Sequence, residues 1–166
     1  MVSWREAAVD DDAALALLTE YFSSRAESFP ASQGEYRTVF PSPEQFVPPR
    51  GVFLVVEGED LAGEPADVGC GGIRRIDLSD DDSITFEVKH LWLQPHVRRL
   101  GYGRALLSEL ERRAVDLGGQ QLVLDTNQSL RAAGELYRSA GFVEVPPYND
   151  NRNATHWFTK ALRRAN

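Results

Sequence analysis

Cysteine is nearly absent. Cys70 is the only one in 166 residues, so an internal disulfide is excluded and a metal site built on cysteine pairs is not available. Histidine is almost as scarce, and His90, His96 and His156 show no H-x-x-x-H or Cys/His spacing, so no metal is expected. Long apolar runs are missing too: residues 52–56 form the longest clear one, far too short to span a bilayer. Met1 to Leu18 carries Arg5 but also Glu6 and Asp10 to Asp12, which is not the pattern of a secretory signal. These absences lead us to expect a cytoplasmic protein from a reducing compartment, with no membrane partner.

Positive charge is sparse in the first half. Residues 1–90 hold 18 acids and 7 bases, whereas residues 91–166 hold 7 acids and 11 bases, for a net charge of −7. The acidic half would repel a polyanion, and no basic stripe interleaved with aromatics is present, so nucleic acid is not an expected partner. The basic half suits a small phosphorylated ligand better, although both imbalances are also compatible with plain solvated surface.

With 42% apolar and 26% charged residues, the chain has the composition of one globular domain, taken here as residues 1–166. The pattern predicts a strand at Trp4 to Val9. An amphipathic helix follows, capped by Asp10 to Asp12 and running to about Ser28, with Ala14, Leu17, Leu18, Tyr21 and Phe22 on one face. Five prolines interleaved with aromatics make Phe29 to Arg50 a long ordered loop with one helical turn at most. Gly51 to Glu57 and Asp67 to Asp77 read as an antiparallel pair, and Asp80 to Asp82 as an acidic turn. Ser83 to Gln94 is a strand whose phase slips: Ile84, Phe86 and Val88 are even, Leu91 and Leu93 odd. Keeping both sets inward requires a β-bulge near Lys89 and His90, against which Trp92 is out of phase. A helix over Gly101 to Leu117, a strand at Gln121 to Asp125, a helix over Ser129 to Ala140 and strands at Phe142 to Val145 and Ala154 to Ala161 complete an α/β fold with a mixed central sheet and flanking helices.

Between strand and helix lies Arg98, Arg99, Leu100, Gly101, Tyr102, Gly103 and Arg104. Two glycines allow backbone N–H groups to face an anion at the positive end of the helix dipole, and three arginines flank them. Such a cradle fits a pyrophosphate, though the same pattern also opens ordinary helices. A dinucleotide fingerprint is disfavoured, because Leu106 stands where its third glycine belongs. No GK[ST] follows, which removes the Walker reading.

Arg98-x-x-Gly101-x-Gly103, after a strand ending Leu91-Trp92-Leu93-Gln94-Pro95, resembles the coenzyme A signature of the GNAT superfamily of N-acetyltransferases. A second block, Ala133 and Leu136-Tyr137-Arg138-Ser139-Ala140-Gly141-Phe142, is similar to that family's later helix and strand, and the likeness covers about residues 51–161. It implies a single GNAT-like domain whose bulged strand splays from its neighbour. The pantetheine arm of acetyl coenzyme A would pair with the main chain of Leu91, Trp92 and Leu93, and the phosphates would sit on residues 98–104. Tyr137 would contact the coenzyme and act as general acid toward its sulfur. Two departures stand out: Arg99 replaces a frequent glycine, adding a candidate phosphate contact, and Leu130 replaces a frequent asparagine, for which Asn127 is the candidate substitute.

Acetyl transfer to an amine requires the amine to lose a proton, to a base or along a water chain; Glu87, just before the bulge, is the candidate base, with a solvent-facing strand carboxylate as its bland alternative. Cys70, flanked by glycines and without an adjacent base, reads as an inert thiol, which favours direct transfer over a covalent enzyme intermediate. The expected acceptor is a primary amine on a small cationic molecule or a peptide, enclosed by Glu35, Tyr36, Tyr148, Asn149, Asp150 and His156. The rival reading is a non-catalytic coenzyme A-binding sensor or interaction module, and a homodimer is left open.

Overall fold

The computed structural model describes residues 2–78 and 82–163; Asp80 and Asp81 of the expected acidic turn lie outside them. The chain runs β1 (Ser3–Glu6), α1 (Asp12–Ser28), β2 (Gly51–Glu59), β3 (Pro65–Ile76), β4 (Thr85–Leu93), α2 (Tyr102–Asp116), β5 (Gln121–Thr126), α3 (Arg131–Ser139), β6 (Val143–Val145) and β7 (His156–Ala161). The strands form one sheet in the order β1-β2-β3-β4-β5-β7-β6, antiparallel except where β4 meets β5. Among the described residues no helix is long and apolar enough to cross a membrane.

Side-chain alternation along the strands divides the interior into two cores. Phe86, Val88, Leu122, Leu124 and Phe158 pack with Leu106, Leu107 and Leu110 of α2 and Tyr137 of α3 on one face. Phe53, Val55, Cys70 and Phe46 pack with Ala14, Leu17, Leu18 and Phe22 of α1 on the other. Asp11 caps α1, its carboxylate accepting from the Ala14 N–H at 2.7 Å. β1 is shorter than its apolar pattern implies: after Glu6 the chain keeps one more contact, Ala7 N–H to the Phe53 carbonyl, and then turns, burying Val9 outside the sheet. The proline-rich loop holds two short 3₁₀ turns, Ala31–Gln33 and Pro43–Phe46, where one was expected.

The bulge lies where the phase slip places it. Gly72 pairs with Lys89 and Cys70 with Trp92, so the single residue Gly71 faces both His90 and Leu91. His90 takes the strain, with φ +59°. The slip turns Leu91 and Leu93 back toward the α2 face and sends Trp92 to the α1 face, which accounts for its phase. A side chain at Gly71 would come within 3.0 Å of Leu91 and 3.3 Å of Leu106, so only glycine lets the bulged strand pack against α2.

Candidate active site

β4 and β5 are paired only from Thr85–Gln121 to Glu87–Val123. Beyond Glu87 they part, and β5 continues alone with β7 on its other side as far as Thr126–His156. The parting leaves a cleft between the strands.

At the α2 end of the cleft the chain turns through Arg98–Gly101. Arg99 and Gly101 both have positive φ, +65° and +83°, and Gly101 is the N-cap of α2. Alternating handedness of this kind aims successive N–H groups at one point. Among the described residues, none of the amides from Arg99 to Arg104 donates to a protein acceptor; the first helical bond is Ala105 N–H to the Gly101 carbonyl. Arg98 braces the turn, its Nε donating to the Leu93 carbonyl at 3.0 Å and its guanidinium lying 4.9 Å from the Trp92 ring centre. Arg99, Leu100 and Arg104 are exposed, and Arg104 donates to the Ser139 hydroxyl. Gly101 and Gly103 differ in kind: a Cβ at Gly101 would meet open space, whereas one at Gly103 would touch Leu136 and Leu93 at 3.4 and 3.6 Å. Tyr102 is partly buried against the α2-side core.

Tyr137 projects from α3 between Phe142 and Phe158. Burial pushes its hydroxyl up to about 12, a rise opposed by the charge of Arg25 and reinforced by Asp125. Its hydroxyl has no protein hydrogen-bond partner among the described residues.

Glu87 is fully buried rather than solvent-facing. Its Oε1 accepts from Arg74 Nε at 3.0 Å and pairs with a terminal guanidinium nitrogen at 2.9 Å, and its Oε2 accepts from the Tyr148 hydroxyl at 2.6 Å. Burial and this carboxylate push the Tyr148 hydroxyl far above its ordinary value. One step past the parting, Lys89 Nζ lies 3.8 Å from Glu87 Oε2 and 3.7 Å from Asp125 Oδ1. Asp125 Oδ2 accepts from Asn149 Nδ2 at 3.0 Å, and Asn149 in turn accepts from the Trp157 indole N–H at 2.8 Å. Tyr36 packs, partly buried, against the α1-side core.

Of the expected acceptor residues, Tyr36, Tyr148 and Asn149 thus join Glu87 on the α1 face. Glu35 and Asp150 are exposed and without an ion pair among the described residues. His156 is a correction. Adjacent strand residues point to opposite faces, so Trp157 meets Asn149 while His156 shares the α3 side with Phe158 and pairs with Glu144 at 3.4 Å. Asn127 is buried, and its amide donates to Gln33 at 2.6 Å and to the Asn153 carbonyl at 3.1 Å while its oxygen accepts from Ser129 N–H. Its donors tie the 29–50 loop to the segment before β7. Cys70 is buried and donates to the His90 carbonyl, and burial pushes its thiol up. Among the described residues no group of three or more His, Cys, Asp or Glu is placed to hold a metal.

The approach of Lys89 to Asp125 is written in no local pattern of the sequence. The register of the parallel pair was the missing signal: Glu87 opposite Val123 puts Lys89 level with Asp125, and alternation puts both on one face.

This splayed sheet with its cradle matches a known family. The model of the acetyltransferase (GNAT) family matches residues 13–142. The chain belongs to the GNAT family. An uncharacterized N-acetyltransferase of Schizosaccharomyces pombe is 31% identical over 107 residues, 64% of this chain and 61% of that protein. The chain therefore spans about three fifths of the length of that relative. Among solved structures, a GNAT-family acetyltransferase of Staphylococcus aureus superposes with a TM-score of 0.73 at 15% identity, over 98% of this chain and 100% of the other. A phosphinothricin acetyltransferase of Sinorhizobium meliloti, solved in complex with acetyl coenzyme A, superposes with a TM-score of 0.63 at 21% identity, over 97% and 88%. Both likenesses speak to the fold.

Proposed function

We propose that this GNAT protein is an acetyl-coenzyme-A-dependent N-acetyltransferase acting directly on a primary amine. The observation that carries the reading is the run of six free amides, Arg99 to Arg104, at the N-terminus of α2, after the strand that parts from β5. Those amides, with Arg99 and Arg104, fit the phosphates of the coenzyme. Past the bulge, the main chain of Leu91 to Leu93 borders the cleft where β5 no longer pairs, and it would hold the pantetheine arm and the thioester oxygen. The relative solved with acetyl coenzyme A has the same fold.

The coenzyme supplies an acetyl group already activated as a thioester. The chain's residues manage protons. Tyr137, with its hydroxyl up at about 12, stays protonated throughout the neutral range and gives its proton to the departing thiolate. The amine must shed a proton as its bond to carbon forms, and two carboxylates border that space. Glu87, the expected base, has both oxygens engaged by Arg74 and Tyr148, so it serves to hold those two groups. Asp125 keeps Oδ1 beyond hydrogen-bond reach of Lys89, with lone pairs open to the amine or to a water on it. We therefore assign the base to Asp125 and a holding role to Glu87. The buried Cys70 thiol supports transfer without a covalent enzyme intermediate.

A small molecule suits this site better than a polycation, since Glu87 and Asp125 are already matched by Arg74 and Lys89. Free-thiol release from acetyl coenzyme A across a broad panel of amines tests the function. Turnover with any of them supports the enzyme. Tight coenzyme binding, seen by calorimetry, with no turnover across the panel points to the sensor instead.

A further inference from the structure

Lysine is rare in this chain: Lys89 and Lys160 are its only two, against sixteen arginines. Lys160 is fully engaged, its Nζ pairing with Glu111 Oε1 at 2.6 Å and donating to the Ala140 carbonyl at 2.6 Å. Lys89 is not. Its Nζ stands 3.8 Å from Glu87 Oε2 and 3.7 Å from Asp125 Oδ1, both beyond hydrogen-bond distance, and among the described residues it donates to no protein acceptor. The side chain keeps 19% exposure, so its three ammonium donors are left to solvent or to a ligand in the cleft.

Lys89 is also the last residue before the bulge, past the end of the β4–β5 pairing at Glu87 and Val123. It precedes by two residues Leu91, where the main chain assigned to the pantetheine arm and the thioester oxygen begins. An amine that attacks the thioester must also lie beside the base, and Lys89 Nζ is an amine already placed beside the open oxygen of Asp125. Lys160 has no such access: alternation along β7 puts it with Phe158 on the α3 side, opposite to Trp157 and its partner Asp125.

Resting on the N-acetyltransferase reading, we propose that Lys89 is a self-acetylation site: with acetyl coenzyme A bound and no acceptor present, the protein transfers the acetyl group to its own Lys89 Nζ. The ammonium loses one proton to Asp125, and the nitrogen–carbon bond forms as the carbon–sulfur bond breaks. The thiolate takes the Tyr137 proton, and the second proton of the nitrogen replaces it on the tyrosine. Acetyl-lysine, free coenzyme A and one proton result. The neutral amide removes the cation between Glu87 and Asp125, and among the described residues Asp125 has no other ion pair.

The test incubates purified protein with acetyl coenzyme A and no acceptor, and follows the two lysine-containing peptides by mass spectrometry. The peptide with Lys89 should gain one acetyl group, and the one with Lys160 should stay unmodified. Isotope-labelled Tyr137→Phe, its fold checked by calorimetric binding of coenzyme A, should be modified at Lys89 about a hundredfold more slowly, the scale of a lost general acid, even when mixed with unlabelled wild type. Lys89 modified as fast in that variant as in wild type, alone or in the mixture, would overturn the inference, because the reaction would then be chemical or between molecules. So would an unmodified Lys89 in a protein that acetylates amines of the panel, an outcome that leaves the acetyltransferase standing. Absence of both acetyl-Lys89 and any acetylated amine would overturn the two together.

Discussion

Asp125 has one carboxylate oxygen that no hydrogen-bond donor reaches, and Glu87 has none, so their substitutions should part company. Asp125→Asn should lower kcat by about a hundredfold or more, since a positioned general base contributes on that scale. Glu87→Gln leaves the Arg74 guanidinium without a charged partner, and its expected cost falls mainly on stability. Tyr137→Phe should depress kcat with little change in KM for acetyl coenzyme A. Steady-state kinetics and chemical denaturation of the three variants beside wild type check all three. His90 supplies a different signal. Its ring lies among Tyr21, Phe22 and Phe46, its Nδ1 is buried without a partner, and burial first, then Lys89 and Arg74, push it down to about 3. Between the ordinary histidine value and that depressed one, the unfolded chain binds the extra proton and the folded chain does not. Stability from this group is therefore complete above about pH 6.5 and falls by about 1.4 kcal/mol per unit as pH drops toward 3. His90→Asn, which tolerates the positive φ, should flatten that slope in urea titrations at successive pH values.

At the scale of the element, the cradle and the bulge were legible because each is written in local spacing. Gly101 and Gly103 with their arginines mark the turn, and the shift from Phe86 and Val88 to Leu91 and Leu93 marks the bulge, which only the facing Gly71 could confirm. The Glu87–Lys89–Asp125 cluster was not legible, because it depends on the register of two strands whose paired residues, such as Glu87 and Val123, stand 36 apart in the chain, a long-range quantity that no local pattern carries. His156 was misplaced for the opposite reason: strict alternation at Trp157 and Phe158 already sends it to the other face. The two cradle glycines allow a direct check. Gly101→Ala meets no atom but must hold φ +83°, so it should lose about 1 kcal/mol through backbone strain. Gly103→Ala sits in helical conformation with ordinary contacts and should be neutral or gain up to about 1 kcal/mol. Chemical denaturation of the two variants beside wild type measures both.

Across the whole molecule, the proposed reading draws the coenzyme end from the basic second half of the chain and the acceptor face from α1, the 29–50 loop and the segment before β7. Asn127 and Asn153 join the last two: Asn153 exchanges hydrogen bonds with the Arg37 main chain at 3.0 and 2.7 Å, and Asn127 reaches Gln33. Asn127→Ala strands these groups and should cost about 2 to 3 kcal/mol of stability. On this account it raises KM for the acceptor more than KM for acetyl coenzyme A, and steady-state kinetics with each varied in turn separates the two. The central claim is chemical, that an acetyl group passes from the coenzyme bound at residues 98–104 to an amine beside Asp125. Its most direct measurement is mass spectrometry of the amine panel after incubation with acetyl coenzyme A and either wild-type protein or Tyr137→Phe. The account predicts an amine heavier by one acetyl group with wild type and far less of it with the variant; an unmodified panel beside intact acetyl coenzyme A would contradict it.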